Sequence, residues 1–401
     1  MTHRPAPRRH TLRAVAVLAT GIALTACQGA NTVGSAATSV ASPGRATPGG
    51  QSAHQPPSTR LLPGMPPPLD PRDVWAADRP NRLAPRVRHD PHRIYVPNSG
   101  SDTVTVINPA TRKVIRTFPV GRQPQHVVPG YDLRTLWVNN DKGNSLTPID
   151  PRTGRPGRPV PVTDPYNLYF TPDGRYAVVM AEARHRLDFR DPHTMRLEHS
   201  LHVPCAGVNH ADFSADGRYF VVSCEFSHRL LKIDTLKRRI VGALRLGRRS
   251  KPQDVKLSPD GRTFYVADMM ANGVWRVSGA PFSVTGFVKT GRGAHGLYVT
   301  RDSRRLLVTN RDAGSISVIG FAHHKVIATW HIPGGGSPDM GNLSPDGTKL
   351  WLSGRYNAVV YELSTRTGRL LAKINVGDGP HGLCVWPQPG RYSLGHTGIM
   401  R

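Results

Sequence analysis

Histidine, aspartate and asparagine recur at a regular interval along the C-terminal three quarters of the chain. Seven polar residues occupy equivalent places, 41 to 44 residues apart: His126, Asn167, His210, Asp254, His295, Asp339 and His381. Imidazole nitrogens and carboxylate oxygens are ligands that divalent transition metals accept. Two interpretations stay open: the four histidines bind a metal, or the set is a hydrated polar surface that faces another ligand.

A repeated unit with this period must position the seven side chains. Its clearest mark is an Asp-Gly pair between two β-rich runs, as in SPDGRTFYV (258–266) and SPDGTKLWL (344–352). Glycine accepts the positive φ that a tight hairpin turn needs. Two further apolar runs follow each hairpin, so each unit predicts four antiparallel strands, which at this period is typical of one propeller blade.

Seven such units predict an all-β fold over residues 89–401, a seven-bladed β-propeller of four-stranded antiparallel blades. The repeat begins with RIYVPN as a second strand and ends with HGLCVW as a first strand. We therefore expect the N- and C-terminal strands to pair and close the ring. Residues 391–398 are surplus and contain His396. They either displace RIYVPN from the closing blade or cross the channel mouth and add a fifth histidine there.

The first strands of a propeller line its central channel, so the seven polar residues should lie at one mouth of that channel. Basic residues precede first strands at the same mouth: Arg122, Arg248, Arg249, Lys251 and Arg292. A basic rim around a His/Asp ring suits an anionic ligand. The alternative is that these side chains are scattered and solvated.

The N-terminus predicts export. MTHRPAPRRHTLR is basic and lacks acids, and AVAVLATGIALTA is an apolar run too short for a permanent membrane span. The following Leu24-Thr25-Ala26-Cys27 resembles a bacterial lipobox, which implies a lipoprotein signal peptide over 1–26 and lipidation of Cys27 at the outer face of the cell membrane. Residues 27–88 are rich in proline, serine and alanine and predict a disordered tether.

The remaining cysteines follow from the blade pattern. Cys205 and Cys224 both belong to the third unit counted from His126 and fall at the same end of it, and we predict that they form a disulfide. Cys384 is then a small core residue. No CxxCH sequence occurs, which excludes a c-type haem on this pattern.

The formal net charge of +26 suggests nucleic acid as a partner. Export separates the protein from chromosomal DNA, and an arginine-rich composition explains the charge, so nucleic acid is not expected. We expect a monomer.

The segments IYVPNSGSDTVTVIN and LLVTNRDAGSISVI resemble YVTN-type (YncE-like) β-propeller repeats, and the resemblance covers about 93–398. It implies the propeller fold and a structural role for Asn98, Asn140 and Asn310 at strand ends. Propellers of this type include binding proteins, lactonase relatives and relatives of the cytochrome d1 haem domain.

No GxSxG, HExxH or Walker sequence occurs, so no catalytic residue is assigned and an enzyme is not favoured. The favoured hypothesis is a lipid-anchored binding or scaffold module whose His/Asp-lined, Arg-rimmed mouth takes a small anionic ligand or a protein partner. The alternative is a redox protein of the cytochrome d1-like type, with a transition metal or a non-covalent haem. A metal-dependent hydrolase similar to propeller lactonases ranks last.

Overall fold

Each repeat folds as one antiparallel sheet, and the sheets surround a central channel. The computed structural model describes residues 60–401. It contains seven blades, as the sequence predicted. The predicted signal peptide, the lipidation of Cys27 and the first part of the tether lie outside the described residues.

The strands are given for each blade from the channel outward. Blade 1 contains Cys384–Trp386, Arg93–Asn98, Thr103–Asn108 and Lys113–Pro119. Blade 2 contains Pro124–Pro129, Leu136–Asn140, Ser145–Asp150, and an outer edge in two pieces, Arg155–Pro156 and Val160–Pro161. Blade 3 contains Pro165–Phe170, Ala177–Ala181, Arg186–Arg190 and Leu197–His202. Blade 4 contains Val208–Phe213, Tyr219–Cys224, Arg229–Asp234 and Arg239–Arg245.

The last three blades are regular. Blade 5 contains Pro252–Leu257, Thr263–Asp268, Gly273–Gly279 and Phe282–Lys289. Blade 6 contains Ala294–Val299, Arg305–Asn310, Ser315–Gly320 and Lys325–His331. Blade 7 contains Pro338–Leu343, Lys349–Gly354, Val359–Ser364 and Leu370–Asn375. The helices in the described part of the chain are two short 3-10 turns, Ala76–Asp78 and Glu225–Ser227, and neither could cross a bilayer.

The ring closes as the sequence predicted. Arg93–Asn98 pairs antiparallel with Cys384–Trp386, with Tyr95 opposite Cys384. This pairing joins the two ends of the repeat region in one sheet, so the propeller has no open seam between its first and last blades.

Two repeated features, one in the turns and one at the strand ends, explain why each unit folds the same way. The glycines of the Asp-Gly turns adopt positive φ, for example 70° at Gly217 and 71° at Gly261, as a tight turn requires. At the other end of the second strand, the Asn310 amide donates to Ser315 Oγ at 3.1 Å and to Ser317 Oγ at 3.0 Å. Asn98 and Asn140 make the equivalent bonds to their third strands.

Residues 60–92 cross the end of the propeller that carries the Asp-Gly turns. Backbone amides of Leu62, Val74 and Asn81 donate to carbonyls in the turns of blades 4, 5 and 7, each at 2.8 Å. Arg301 forms a buried ion pair with Asp78. The predicted tether is therefore wrong for residues 60–88, because composition did not reveal these specific contacts.

The surplus C-terminal segment enters the channel. We call residues 387–401 the tail. It does not displace Arg93–Asn98 from the closing blade. It forms a tight hairpin in which Leu394 N donates to Ile399 O at 2.7 Å, and it pairs with the inner strand of blade 3. Almost every tail residue is buried.

Tail contacts with several blades fix it in place. Arg401 Nη2 lies 3.0 Å from Asp212 Oδ1, and its guanidinium stacks 4.1 Å above the ring of Trp75. Asn342 Nδ2 donates to Gln388 Oε1 at 2.9 Å. The tail thus contacts blades 3, 4 and 7 as well as the N-terminal segment.

Candidate functional site

The structure brings together the seven residues that the sequence placed in a ring, and the tail adds His396 to them. All eight side chains are at most 2% exposed. The ring therefore lies below the surface of the mouth, and not open at the mouth as the hydrated-channel interpretation expected. One reason is that the tail enters the channel and pairs with the inner strand of blade 3 beside these side chains.

One half of the ring is built around a buried ion pair, and one nitrogen in it, His295 Nδ1, makes no hydrogen bond within residues 60–401. The Asp339 carboxylate accepts from Arg311 Nε at 3.0 Å and Nη2 at 2.5 Å, and lies 2.7 Å from His381 Nδ1. His295 Nδ1 lies 3.0 Å from the same carboxylate. Burial alone would raise the pKa of Asp339, but Arg311 and the two imidazoles hold it well below its usual range. This half is a buried ion pair with hydrogen-bonded histidines.

The other half of the ring contains three imidazoles with free nitrogens. His126 Nδ1 lies 3.0 Å from the Tyr166 carbonyl, and His210 Nδ1 lies 2.9 Å from Asn209 Oδ1. His396 Nδ1 lies 3.1 Å from Asn167 Nδ2. In each of the three rings the buried Nε2 atom has no hydrogen-bond partner among the described residues.

We call His126, His210 and His396 the triple-histidine cluster. One ring nitrogen from each lies within 4.8 Å of the other two. Burial lowers the pKa of His126 to about 3 and the pKa values of His210 and His396 well below their usual range. All three are therefore neutral near pH 7, which is the state in which imidazole binds metal ions.

The side chains at the two remaining ring positions, Asp254 and Asn167, form hydrogen bonds with backbone groups, and Asp254 also pairs with a lysine. Asp254 accepts from the backbone amides of Val255 and Leu297 and from Lys256 Nζ, the last at 3.1 Å. Asn167 Nδ2 also donates to the Asn209 carbonyl. Neither residue is a member of the triple-histidine cluster, although Asp254 Oδ1 lies 3.8 Å from His396 Nε2.

A second ring, which the sequence analysis did not find as a set, surrounds the mouth above the first. It consists of the residue that follows the second strand of each blade: Ser99, Asp141, Glu182, Glu225, Met269, Arg311 and Arg355. Blades 2 to 4 contribute carboxylates and blades 6 and 7 contribute guanidiniums. We call this set the mouth ring. Its signal was present in the alignment of the repeats, at the position directly after each YVTN-like strand.

We call the carboxylates of blades 2 to 4 the acidic arc and the guanidiniums of blades 6 and 7 the basic arc. Hydrogen bonds connect the acidic arc to the triple-histidine cluster. Asn209 Nδ2 donates to Glu225 Oε2 at 2.6 Å and to Glu182 Oε1 at 3.2 Å, while its Oδ1 faces His210. Burial, with repulsion from Glu225, raises the pKa of Glu182 to about 8. Glu225 is neutralised by Lys251 Nζ at 2.9 Å.

In the basic arc, only one of the two guanidiniums is paired with a carboxylate. Arg311 pairs with Asp339, but Arg355 donates only to neutral oxygens, Ser99 Oγ at 2.8 Å and the Gly379 carbonyl at 3.1 Å. Its guanidinium has no carboxylate partner among residues 60–401.

Tyr166 lies over the triple-histidine cluster, with ring centroids 5.6 Å from His126 and 6.1 Å from His210. The charges of Glu182, Glu225, Arg355 and Arg311 all act on its hydroxyl. Tyr166 is half-buried, whereas the two imidazoles that it contacts are fully buried.

The predicted basic rim is not assembled into one site. Arg122, Arg248, Arg249 and Arg292 are exposed. Arg122 donates to the Lys142 carbonyl at 3.1 Å and Arg292 to the Asp312 carbonyl at 3.3 Å. Of the five predicted rim residues, only Lys251 joins the inner mouth, through its ion pair with Glu225.

The structure joins Cys205 and Cys224 in a disulfide with a Cα–Cα distance of 5.9 Å, which is the predicted pairing. Cys384 is a free, buried thiol, and burial raises its pKa. It packs in the closing blade and is not part of either ring.

A haem macrocycle does not fit inside the ring. The centroids of neighbouring imidazoles are only 4.9 Å apart for His126 and His381, and 5.2 Å apart for both His126–His396 and His210–His396. Tyr166 packs against His126 and His210, and the tail places His396 between the same two rings. The cluster has the dimensions of a site for a single ion.

Fold and site together define a closed seven-bladed propeller with a buried imidazole cluster beneath a charged mouth. A sequence profile described as a YNCE-like beta-propeller matches residues 82–389. The chain belongs to this family. A search of curated proteins gives no match.

Solved structures share the fold at low sequence identity. A structure described as Kuenenia stuttgartiensis hydrazine synthase matches with 19% identity and a TM-score of 0.59, covering 68% of this chain and 92% of that one. Dihydro-heme d1 dehydrogenase NirN, in complex with DHE, matches with 16% identity and a TM-score of 0.57, covering 80% and 78%. A functionally unknown protein from Desulfotomaculum acetoxidans matches with 14% identity and a TM-score of 0.62, covering 73% and 98%. At these identities the likeness concerns the fold alone.

Proposed function

We propose that the protein is an exported, lipid-anchored binding module that takes a small ligand at the mouth ring. The observation that carries the proposal is the separation of charge in this ring. Carboxylates lie on blades 2 to 4 and guanidiniums on blades 6 and 7. Export and the anchor at Cys27 are supported by the sequence features of the N-terminus.

The charge pattern favours a ligand with both charges. A purely anionic ligand would meet the guanidinium of Arg355 on one side of the mouth, but on the other side it would face the carboxyl groups of Asp141 and Glu182 and gain no charge-assisted hydrogen bond there. A zwitterion places its carboxylate on the basic arc through charge-assisted hydrogen bonds and its ammonium on the acidic arc. We therefore replace the anionic ligand predicted from the rim with a zwitterionic one.

Arg355 and Glu182 are the two residues whose charge a ligand would satisfy best. Arg355 donates only to neutral oxygens. Glu182 has its pKa raised to about 8, so an approaching ammonium group would favour the ionised form of Glu182. No residue is proposed as catalytic, because neither ring presents an activated nucleophile with a partner base.

The test is a calorimetric titration with a series of ω-amino acids that differ only in the number of methylene groups. One chain length should bind best, because the two arcs are a fixed distance apart. The matched carboxylic acid and the matched amine should each bind at least about tenfold more weakly, which corresponds to ~1.4 kcal/mol. Arg355→Gln and Glu182→Gln should both weaken binding of the zwitterion, while the exposed rim variant Arg292→Gln should not.

A pH series adds a second, independent readout. With a quaternary-ammonium analogue, whose charge does not titrate, affinity should rise as pH increases through about 8, where Glu182 ionises. Glu182→Gln should remove this rise. Equal binding of the acid and the zwitterion would overturn the proposal, and so would absence of binding by the whole series. A protein partner that requires Arg355 and Glu182 would point instead to a scaffold role.

A further inference from the structure

We propose that His126, His210 and His396 bind one divalent transition metal ion of the zinc or copper type, and that this site exists only when the tail is inserted in the channel. The inference does not depend on the zwitterion site, because the cluster lies below the mouth ring. It starts from one nitrogen of each ring lying within 4.8 Å of the other two.

In two of the three rings, hydrogen bonds at Nδ1 leave the lone pair of Nε2 available to a metal. A carbonyl oxygen can only accept, so His126 Nδ1 carries the proton that it donates to Tyr166 O. Asn209 is held with its amide nitrogen on Glu182 and Glu225, so its oxygen accepts from His210 Nδ1. The lone pair of both rings therefore lies on Nε2, which has no partner within residues 60–401. Second-shell contacts of this kind orient metal-binding histidines.

The third ring differs in its proton position. Asn167 Nδ2 donates to His396 Nδ1, so the neutral His396 ring carries its proton on Nε2. The Asn167 amide is fixed in this orientation, because Leu168 N donates to its oxygen at 2.9 Å and its nitrogen also donates to the Asn209 carbonyl. Metal binding at Nε2 therefore moves the His396 proton to Nδ1 and breaks the bond from Asn167 Nδ2. The proton stays on the ring, and the charge of the protein is unchanged. Asn167 thus positions the tail histidine before the metal binds.

The position of His396 explains why the tail is needed. Blades 2 and 4 contribute His126 and His210 to the ring, but blade 3 between them contributes Asn167. The tail pairs with the inner strand of blade 3, through His396 N to Leu168 O at 2.8 Å, and so places an imidazole in front of Asn167. The fold supplies two ligands, and the tail supplies the third.

The donor set limits the kind of ion. Three neutral imidazoles without a thiolate suit zinc, copper, nickel or iron and disfavour calcium and magnesium, which take oxygen ligands. Three protein ligands are the number that leaves a further coordination position for an exchangeable molecule. The other two ring histidines are held by Asp339 and Arg311 and are not expected to bind the ion.

The test is a competition titration of the metal-free, full-length protein with Zn²⁺ against a chromophoric chelator. One Zn²⁺ per chain should bind. His126→Ala, His210→Ala and His396→Ala should each weaken binding by more than about 100-fold, beyond the 10–100-fold typical of second-shell losses. His331→Ala, which removes an exposed histidine on an outer strand, is the matched control and should bind as the wild type does.

Amide hydrogen exchange of residues 391–401 separates a ligand role from a folding defect. Zn²⁺ should slow exchange of the tail in the wild type and in His331→Ala, and should leave it unchanged in His126→Ala. No Zn²⁺ binding by the wild type would overturn the site. Full affinity in His396→Ala, or a tail whose exchange does not respond to Zn²⁺ in the wild type, would overturn the role of the tail.

Discussion

Replacement of Asp339 by asparagine tests the half of the ring that the structure describes as a buried ion pair. The change keeps the shape of the side chain but removes the charge that neutralises Arg311, which contacts it at 3.0 and 2.5 Å. Asp339 is 0% exposed and Arg311 is 8% exposed, so water cannot take over that role. Removing one partner of a buried pair costs about 3–5 kcal/mol.

Thermal unfolding followed by circular dichroism measures this effect. For a large domain, about 1 kcal/mol corresponds to ~2 °C, so Asp339→Asn should lower Tm by roughly 6–10 °C. The double variant Asp339→Asn with Arg311→Gln should recover part of the loss, because the uncompensated charge is gone. Asp378→Asn, an exposed aspartate in the loop before the last strand, should be neutral. A Tm for Asp339→Asn equal to that of Asp378→Asn would refute the reasoning.

Three further predictions concern other parts of the chain. Cys27→Ser should move the protein from the membrane fraction to the soluble fraction, and retention in the membrane would contradict lipid anchoring. Cys205→Ser should lower stability by about 3 kcal/mol in the entropic account of loop closure, since it opens a loop with a sequence separation of 19 residues; a Tm that reductant still lowers in this variant would show a different cause. The raised pKa of Glu182, about 8 against an ordinary value of 4.5, means that only the unfolded state releases the proton between these values. Stability should therefore fall as pH rises from about 4.5 to about 8, and Glu182→Gln should flatten this slope; an unchanged slope would place the effect elsewhere.

The repeating part of the molecule could be predicted because every unit contains the same sequence signals for one blade. The Asp-Gly turns, the asparagines at strand ends and the 41 to 44 residue period each specify one blade. The ring positions followed from the same alignment, because equivalent residues of equivalent strands must surround one axis.

The parts that do not repeat could not be predicted in the same way. Residues 60–92 and 387–401 have no period, and their places depend on single contacts such as Arg301 with Asp78 and Arg401 with Asp212. The sequence left open that residues 391–398 add His396 to the ring, but it did not predict that the tail enters the channel and buries the ring. The pairing of Arg311 with Asp339 was missed as well, since it joins different blades.

The charge of the mouth ring was missed for another reason. Its seven members vary in type around the axis, from Asp141 through Met269 to Arg355, so no single motif marks them. Only the position after each second strand is constant. Comparing that position across the repeats would have shown the acidic and basic arcs.

A crystal structure of the full-length protein grown with Zn²⁺, with anomalous differences recorded at the zinc edge, tests the central claim most directly. The account predicts one strong anomalous peak within bonding distance of Nε2 of His126, His210 and His396, about 2.0–2.1 Å from each, with the tail in the channel. An empty cluster, or a peak at surface histidines alone, would contradict it.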